Sequence, residues 1–159
     1  MSWDEEIKAH LFWIWWEKEG LIKRGKECML VITDRRLAII TKTEMTGRMH
    51  HTYSARQNNR FEAGEAVFRP AEGYKIEQLE KDLDKSPENL EIPFRQIMDV
   101  STEDKRWGTL LKVKVNLGDK SQVYRFSIVK GWVKYPAKDP IQFHKMDWSP
   151  FVALIKTSV

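Results

Sequence analysis

The sequence predicts a mainly β fold of α+β type: a bent antiparallel β-barrel of about seven strands closed by a C-terminal helix, with one further helix inserted midway. Three stretches carry that prediction. Met29 to Thr41 reads as two apolar strands around a polar Thr33-Asp34-Arg35-Arg36 turn, with Leu30, Val31 and Ile32 entering and Leu37, Ala38, Ile39 and Ile40 leaving. Its β-branched enrichment suits a pleated, half-buried surface. Leu110 to Leu117 alternates Leu111, Val113, Val115 and Leu117 against Lys112, Lys114 and Asn116, and Gly118-Asp119 turns the chain into Val123 to Val129. Finally, Asp147 to Lys156 places Pro150 in the first turn of a helix capped by Asp147 or Ser149, with Phe151, Leu154 and Ile155 on one face.

The remaining elements are arranged around the Met29–Thr41 hairpin. Ser2 with Glu5 fits a capping box, and Ile7 with Leu11 gives an apolar stripe, so a short helix spans about Trp3 to Ala9. Leu11 to Trp16 is too evenly apolar for a surface helix and reads as a first strand running to about Lys18. One helix from Trp3 to Lys18, capped by Gly20, is the alternative. Residues 19 to 27 then form a loop in which Gly20 and Gly25 allow sharp turns, and Leu21 and Ile22 sit beside Lys18, Lys23, Arg24 and Lys26. That loop is either a basic arm with an apolar tip or a core-anchored turn whose lysines face water.

Residues 43 to 90 are too long for a hairpin loop and read as an insertion. Its first half is polar and irregular, with Ala66-Val67-Phe68 as a short strand. Its second half is a helix from about Tyr74 to Leu83, ended by Ser86-Pro87. This helix either packs across an open end or edge of the barrel or binds a partner. Glu91 to Val100 follows as a strand, in which Pro93 argues for an edge or a bulge. Gly131 to Lys145 is a loop. In the Leu110–Val129 hairpin one face is buried and the other basic, with Lys112, Lys114 and Arg125 pointing outward.

A chain of 159 residues suits a single domain with its own core. A lone cysteine, Cys28, allows no intramolecular disulfide. Without a secretory h-region or an apolar run near 20 residues, a soluble, cytoplasmic protein is the expectation. The net charge is +4 and the pI about 9.1, distributed in alternating acidic and basic blocks. That balance permits phosphates, an anionic membrane or an acidic partner, and it equally suits a solvated surface.

Chemistry finds little purchase in the motifs. His10, His50, His51 and His144 have no ligand spacing, the His50-His51 pair falls in the polar loop, and no cofactor or metal is implied. No nucleophile elbow, phosphate loop or metalloprotease motif is present, so the reading is non-enzymatic. Asp34 is explained by an Asx-turn near Arg36, and Arg36 by a stem laid over the sheet and a carboxylate partner. Trp13, Trp15, Trp16 and Trp148 belong to the core. Trp107, at a loop tip after Lys105 and Arg106, suits a membrane interface, a peptide groove or a stacked base, as does Trp132; the plainer alternative for either is a ring folded back over the sheet.

Taken in order, Val31 to Ile40, Ile92 to Val100, Leu110 to Val129 and the helix from Asp147 resemble GRAM and bacterial pleckstrin-homology-like (PH-like) domains. The Thr-Asp-x-Arg-Leu turn and the Ile-Pro-x-x-x-Ile-x-x-Val spacing are the points of similarity, the latter implying that Ile92, Ile97 and Val100 face inward. In such domains the loop between the first two strands often lines the ligand pocket. The 43–90 insertion exceeds the family's usual loop, and the phosphoinositide pattern is only partly matched by Lys23, Arg24, Lys26 and Arg35. Residues and resemblance together imply a binding or adaptor module for a protein segment or an anionic membrane surface, peripheral at the membrane in the second case. Lys23, Arg24, Lys26, Arg35, Lys105 and Arg106 would supply attraction, and Leu21, Ile22 and Trp107 apolar anchors. The rival reading is nucleic-acid binding by Lys112, Lys114 and Arg125.

Overall fold

The computed structural model describes residues 5–20, 25–132 and 140–158. Its strands are β1 (Ile7–Lys18), β2 (Lys26–Thr33), β3 (Arg36–Ile40), β4 (Leu90–Pro93), β5 (Ile97–Lys105), β6 (Gly108–Asn116), β7 (Ser121–Trp132) and β8 (Pro140–Phe143). Its helices are α1 (Gly47–Ala63), α2 (Ile76–Lys85) and α3 (Ser149–Ser158), with a 3-10 turn at Phe94–Gln96. The strands form one antiparallel sheet in the order β4-β3-β2-β1-β7-β6-β5, and β8 pairs with β7. The sheet is therefore open, with β4 and β5 as its edges, where the sequence suggested closure into a barrel of about seven strands.

The β2–β3 hairpin has the expected register, Met29 opposite Ile40 through Ile32 opposite Leu37. Its turn is held by Thr33, whose Oγ1 accepts from the N–H groups of Arg35 and Arg36 at 3.0 Å each. The turn is thus an ST-turn, and the Asx-turn expected of Asp34 is not what closes it. Asp34 instead exchanges bonds with Glu6: its carboxylate and its backbone N–H meet the N–H and carbonyl of Glu6 at 3.1 Å each. That clasp leads the chain into β1.

Residues Ile7 to Ala9 are strand rather than the expected end of a helix. Ile7 pairs with Thr33 and Ala9 with Ile32, so sheet pairing overrides the local capping-box pattern. Between Leu11 and Ile14 the register slips, and Trp13 takes a left-handed φ of 55°. This bulge frees the backbone of Phe12 from the ladder. The Gln57 side chain of α1 restores both bonds, accepting from Phe12 N–H at 2.8 Å and donating to its carbonyl at 2.9 Å. Beyond the bulge β1 gains β7 as a second neighbour, from Ile14 opposite Ile128 to Lys18 opposite Tyr124.

Two helices occupy the insertion, where one was expected. α1 falls in the half read as irregular, capped by Thr46 Oγ1 on the N–H of Met49 and ended by left-handed Gly64. Ala66-Val67-Phe68 is not strand. Both helices cover the outer face of β1 to β3, where Phe12, Met29, Val31, Ala38 and Ile40 form an apolar layer with Tyr74 and Leu79. The inner face, with Leu30, Ile32, Leu37, Ile39, Leu111, Val113, Val115 and Phe126, packs against Trp148, Phe151 and Ile155 at α3. Buried Asp82 ties α2 to its base, accepting from Thr43 Oγ1 at 3.0 Å, Glu44 N–H at 2.7 Å and Tyr74 O–H at 2.6 Å.

Elsewhere the sequence reading needs small changes. Leu117, placed on the buried face by alternation, lies just past β6 and is exposed. The stretch read as a loop after Gly131 carries the end of β7 and all of β8. Leu21 to Arg24 and the first four residues lie outside the described residues, as do the side chains of Gly131, Trp132, Pro140, Ile141 and Ser158. Among the described residues no helix is long and apolar enough to cross a membrane.

Gln57→Leu keeps the side-chain volume and strands the buried N–H and carbonyl of Phe12. A loss of about 3 kcal/mol in urea-unfolding stability is expected, at about 1–3 kcal/mol per orphaned group; a loss below about 1 kcal/mol would remove the bulge-capping role.

Candidate functional site

One long groove runs between the edge strand β5 and the helix α3. Thr102 and Asp104 form one wall, Val152, Ala153 and Lys156 the other, and Thr109 with Lys145 to Ser149 the floor, enclosing about 730 Å³. Among the described residues β5 pairs with β6 alone, from Ile97 opposite Val115 to Lys105 opposite Gly108. Its other side is an unpaired edge among the described residues, with a row of backbone donors and acceptors. The turn after β8 fixes the floor: Thr109 Oγ1 donates to Asp104 at 2.9 Å and accepts from Met146 N–H at 3.0 Å. Asp147 accepts from Ser149 N–H at 3.0 Å at the start of α3, and that bond, with the Ser149 hydroxyl, holds its carboxyl below the usual range. Asp104 and Asp147 thus give the groove anionic points, and Lys145 and Lys156 cationic ones. Geometrically, it can take an extended backbone along β5, with alternate side chains against α3.

The residues singled out from sequence do not assemble into one site. Lys105, Arg106 and Trp107 form the β5–β6 turn, where Trp107 is 43% exposed and meets Phe143 edge-on at 5.0 Å. Phe143 N–H donates to Trp107 carbonyl at 3.2 Å, and a Cβ on Gly108 would stand 2.6 Å from that of Phe143. Lys26 opens β2 and pairs with Glu88 at 3.6 Å. By register, Lys18, before the Leu21–Arg24 loop, lies about five strand residues from the level of Gly108, roughly 16 Å at 3.3 Å per residue. Lys18 and the β5–β6 turn therefore stand at different levels of the sheet.

Arg35 lies on a third surface, a groove of about 830 Å³ with Lys75, Arg95, Glu77 and Glu91. Arg36 is structural there. Its guanidinium bonds Glu5 at 2.8 and 3.0 Å, contacts Glu80, and meets Glu91 at 3.3 Å. The carboxylate partner expected of Arg36 is thus a set of three.

On the outer face of β5 to β7, Lys112 pairs with Glu103 at 3.0 Å and Glu19 at 3.7 Å, and Arg125 with Glu17 at 2.5 Å. Lys105 and Lys112 hold the Glu103 carboxyl down at about 2, so it stays anionic. This face is a ladder of opposite charges, with little excess to offer a phosphate backbone.

His50 and His51 lie on α1, not in a flexible loop, and His50 sets its ring edge-on to Phe12 at 5.5 Å. Among the described residues no group of three metal-ligating side chains occurs. His144 stacks flat on Phe61 at 3.8 Å, and its Nε2 lies 3.2 Å from Asn58 Oδ1. Burial, and then Lys130, press its pKa down to about 4.

Neither a protein-family model nor a curated protein sequence matches this chain.

The histidines make stability depend on pH. Burial, then His50, holds His10 at about 3, and His144 sits at about 4. Unfolded imidazoles protonate near pH 6.5. Between about pH 6.5 and 4 the unfolded chain therefore binds more protons, and stability falls as pH falls. The melting temperature is expected to drop from pH 7.5 to 5, with a shallower drop in His144→Gln; an unchanged profile in that variant would remove His144 from the account.

Proposed function

We propose that this protein is a non-enzymatic, PH-like binding module whose ligand is an extended protein segment laid along β5 in the groove against α3. The observation that carries this reading is the nine-residue edge strand β5, paired on one side only among the described residues and bordering the groove against α3. An added strand gains main-chain hydrogen bonds from the edge and side-chain specificity from the α3 wall. The order of strands followed by a C-terminal helix supports the PH-like part of the reading.

The test is selection from a displayed random-peptide library on the full chain, followed by titration of the selected peptides. Ala153 is exposed on α3 in the groove wall, so Ala153→Trp fills the groove without entering the core. Affinity is expected to fall at least tenfold in Ala153→Trp, with β5 amides protected from hydrogen exchange by bound peptide. Selected peptides that bind both forms equally would overturn the reading.

A second reading, an anionic membrane surface, is favoured by one observation, the exposed Trp107 beside exposed Arg106 at the β5–β6 tip. It predicts sedimentation with anionic but not neutral vesicles, a blue-shifted tryptophan emission, and loss of both in Arg106→Glu/Trp107→Ala. Equal sedimentation of that variant would remove the tip from consideration.

A further inference from the structure

The C-terminal half of α1 gathers guanidinium groups that make no ion pair among the described residues. Arg56 and Arg60 stand one turn apart on α1, so they share a helix face. Arg69, on the connection towards α2, is pinned beside them because its carbonyl accepts the N–H of His10 at 3.0 Å. All three arginines line a cavity of about 60 Å³ together with His10, Tyr53 and Gln57. Arg56 rests over the Tyr53 ring at 5.7 Å, and the Tyr53 hydroxyl donates to the carbonyl of Glu72. Glu65 and Glu72 carry the nearby negative charge, yet no arginine of the three forms an ion pair with either.

Two further features belong to the same place. Arg60 has its proton affinity lowered, first by burial and then by the neighbouring charge of Arg69, with Arg56 adding to it against Glu65. Like charges are thus held together, and Glu65 offsets part of their repulsion without pairing with any of the three. His10 is 3% exposed, and its Nδ1 has no hydrogen-bond partner, while Nε2 faces the sulfur of Met29 at 3.4 Å. The Met29 sulfur can only accept, so that contact places the imidazole N–H on Nε2 and leaves Nδ1 an acceptor without a donor.

We infer that this cavity is a binding site for a phosphoryl oxyanion. Three guanidinium forks suit several oxygens of one tetrahedral anion better than a single carboxylate. At about 60 Å³ the cavity is small, so only the anionic group enters and the rest of the ligand lies outside, past the exposed Arg56 and Arg69. The site is distinct from the β5–α3 groove and stands or falls independently of it.

The source of the phosphoryl group, free phosphate or a lipid headgroup, is separated by two arms of one experiment on the full chain. In the first, inorganic phosphate is titrated calorimetrically into the wild type, Arg60→Gln, Arg69→Gln and Arg48→Gln, the last an exposed α1 arginine away from the cavity. A Kd of about 1 mM or tighter is expected, weakened at least tenfold in Arg60→Gln and Arg69→Gln and unchanged in Arg48→Gln. Without ligand, Arg60→Gln is expected to melt no lower than wild type, since like-charge repulsion is relieved; a purely structural arginine would melt lower. In the second arm, phosphatidic acid vesicles are compared with phosphatidylcholine vesicles. Retention that Arg60→Gln abolishes and Arg106→Glu/Trp107→Ala preserves assigns a lipid source, and phosphate binding without retention assigns a soluble one. Absence of phosphate binding by wild type, or equal binding by Arg60→Gln and Arg69→Gln, overturns the inference.

Discussion

Burial of β2 and β3 on both faces is the constraint from which the rest of this structure follows. Leu30, Ile32, Leu37 and Ile39 point to one side, and Met29, Val31, Ala38 and Ile40 to the other, all of them buried. A strand apolar on one face needs one covering layer, and a strand apolar on both needs two. The C-terminal helix supplies the inner layer. The outer one has to come from elsewhere in the chain, and the long insertion between β3 and β4 is that layer. At about 1.5–3 kcal/mol per fully buried aliphatic side chain, leaving Val31, Ile40 and Leu79 in water would remove a large share of a marginal stability.

Covering the outer face raises a second problem, because helices laid on a sheet bring polar backbone and side chains into an apolar layer. Gln57 is one solution: a single amide satisfies both backbone groups that the β1 bulge releases. Asp82 and Asn89 are another. Asp82 gathers Thr43, Glu44 and Tyr74, while Asn89 accepts from the N–H groups of Thr41 and Lys42 at 2.8 and 2.9 Å and donates to the carbonyls of Lys42 and Asp82. The insertion is therefore stitched down at both ends by buried polar groups, each fully engaged.

Much of this architecture could be read from the chain, and the misses have physical causes. The Met29–Thr41 and Leu110–Val129 hairpins and the final helix carried strong periodicity or turn chemistry, and each stands where expected. The unbroken apolar runs of β2 and β3 also contained a clue, since a strand with one wet face alternates. α1 was invisible because its covering face is made of Tyr53, Ser54, Gln57 and Phe61 rather than leucines, a pattern with almost no apolar stripe. Ile7 to Ala9 misled because a local capping signal competed with a pairing partner 26 residues away. The predicted site was divided for a related reason: loops that look alike in charge were assigned together, whereas strand register sets Lys18 and Trp107 at different levels of the sheet.

The same distinction separates arginines that hold this fold from arginines available for something else. Arg36 is buried against Glu5, Glu80 and Glu91, and a guanidinium so surrounded has donors committed within the molecule. Arg125 and Lys112 are likewise matched by Glu17, Glu19 and Glu103. Arg56, Arg60 and Arg69 share a cavity wall with no such ion pair among the described residues, next to a buried imidazole with one nitrogen unengaged. Net charge does not distinguish these cases, because a paired cation and an unpaired one contribute equally to the total. What separates them is whether folding has already supplied the counter-charge; where it has not, the donors stay open to solvent and to an anion from outside the chain.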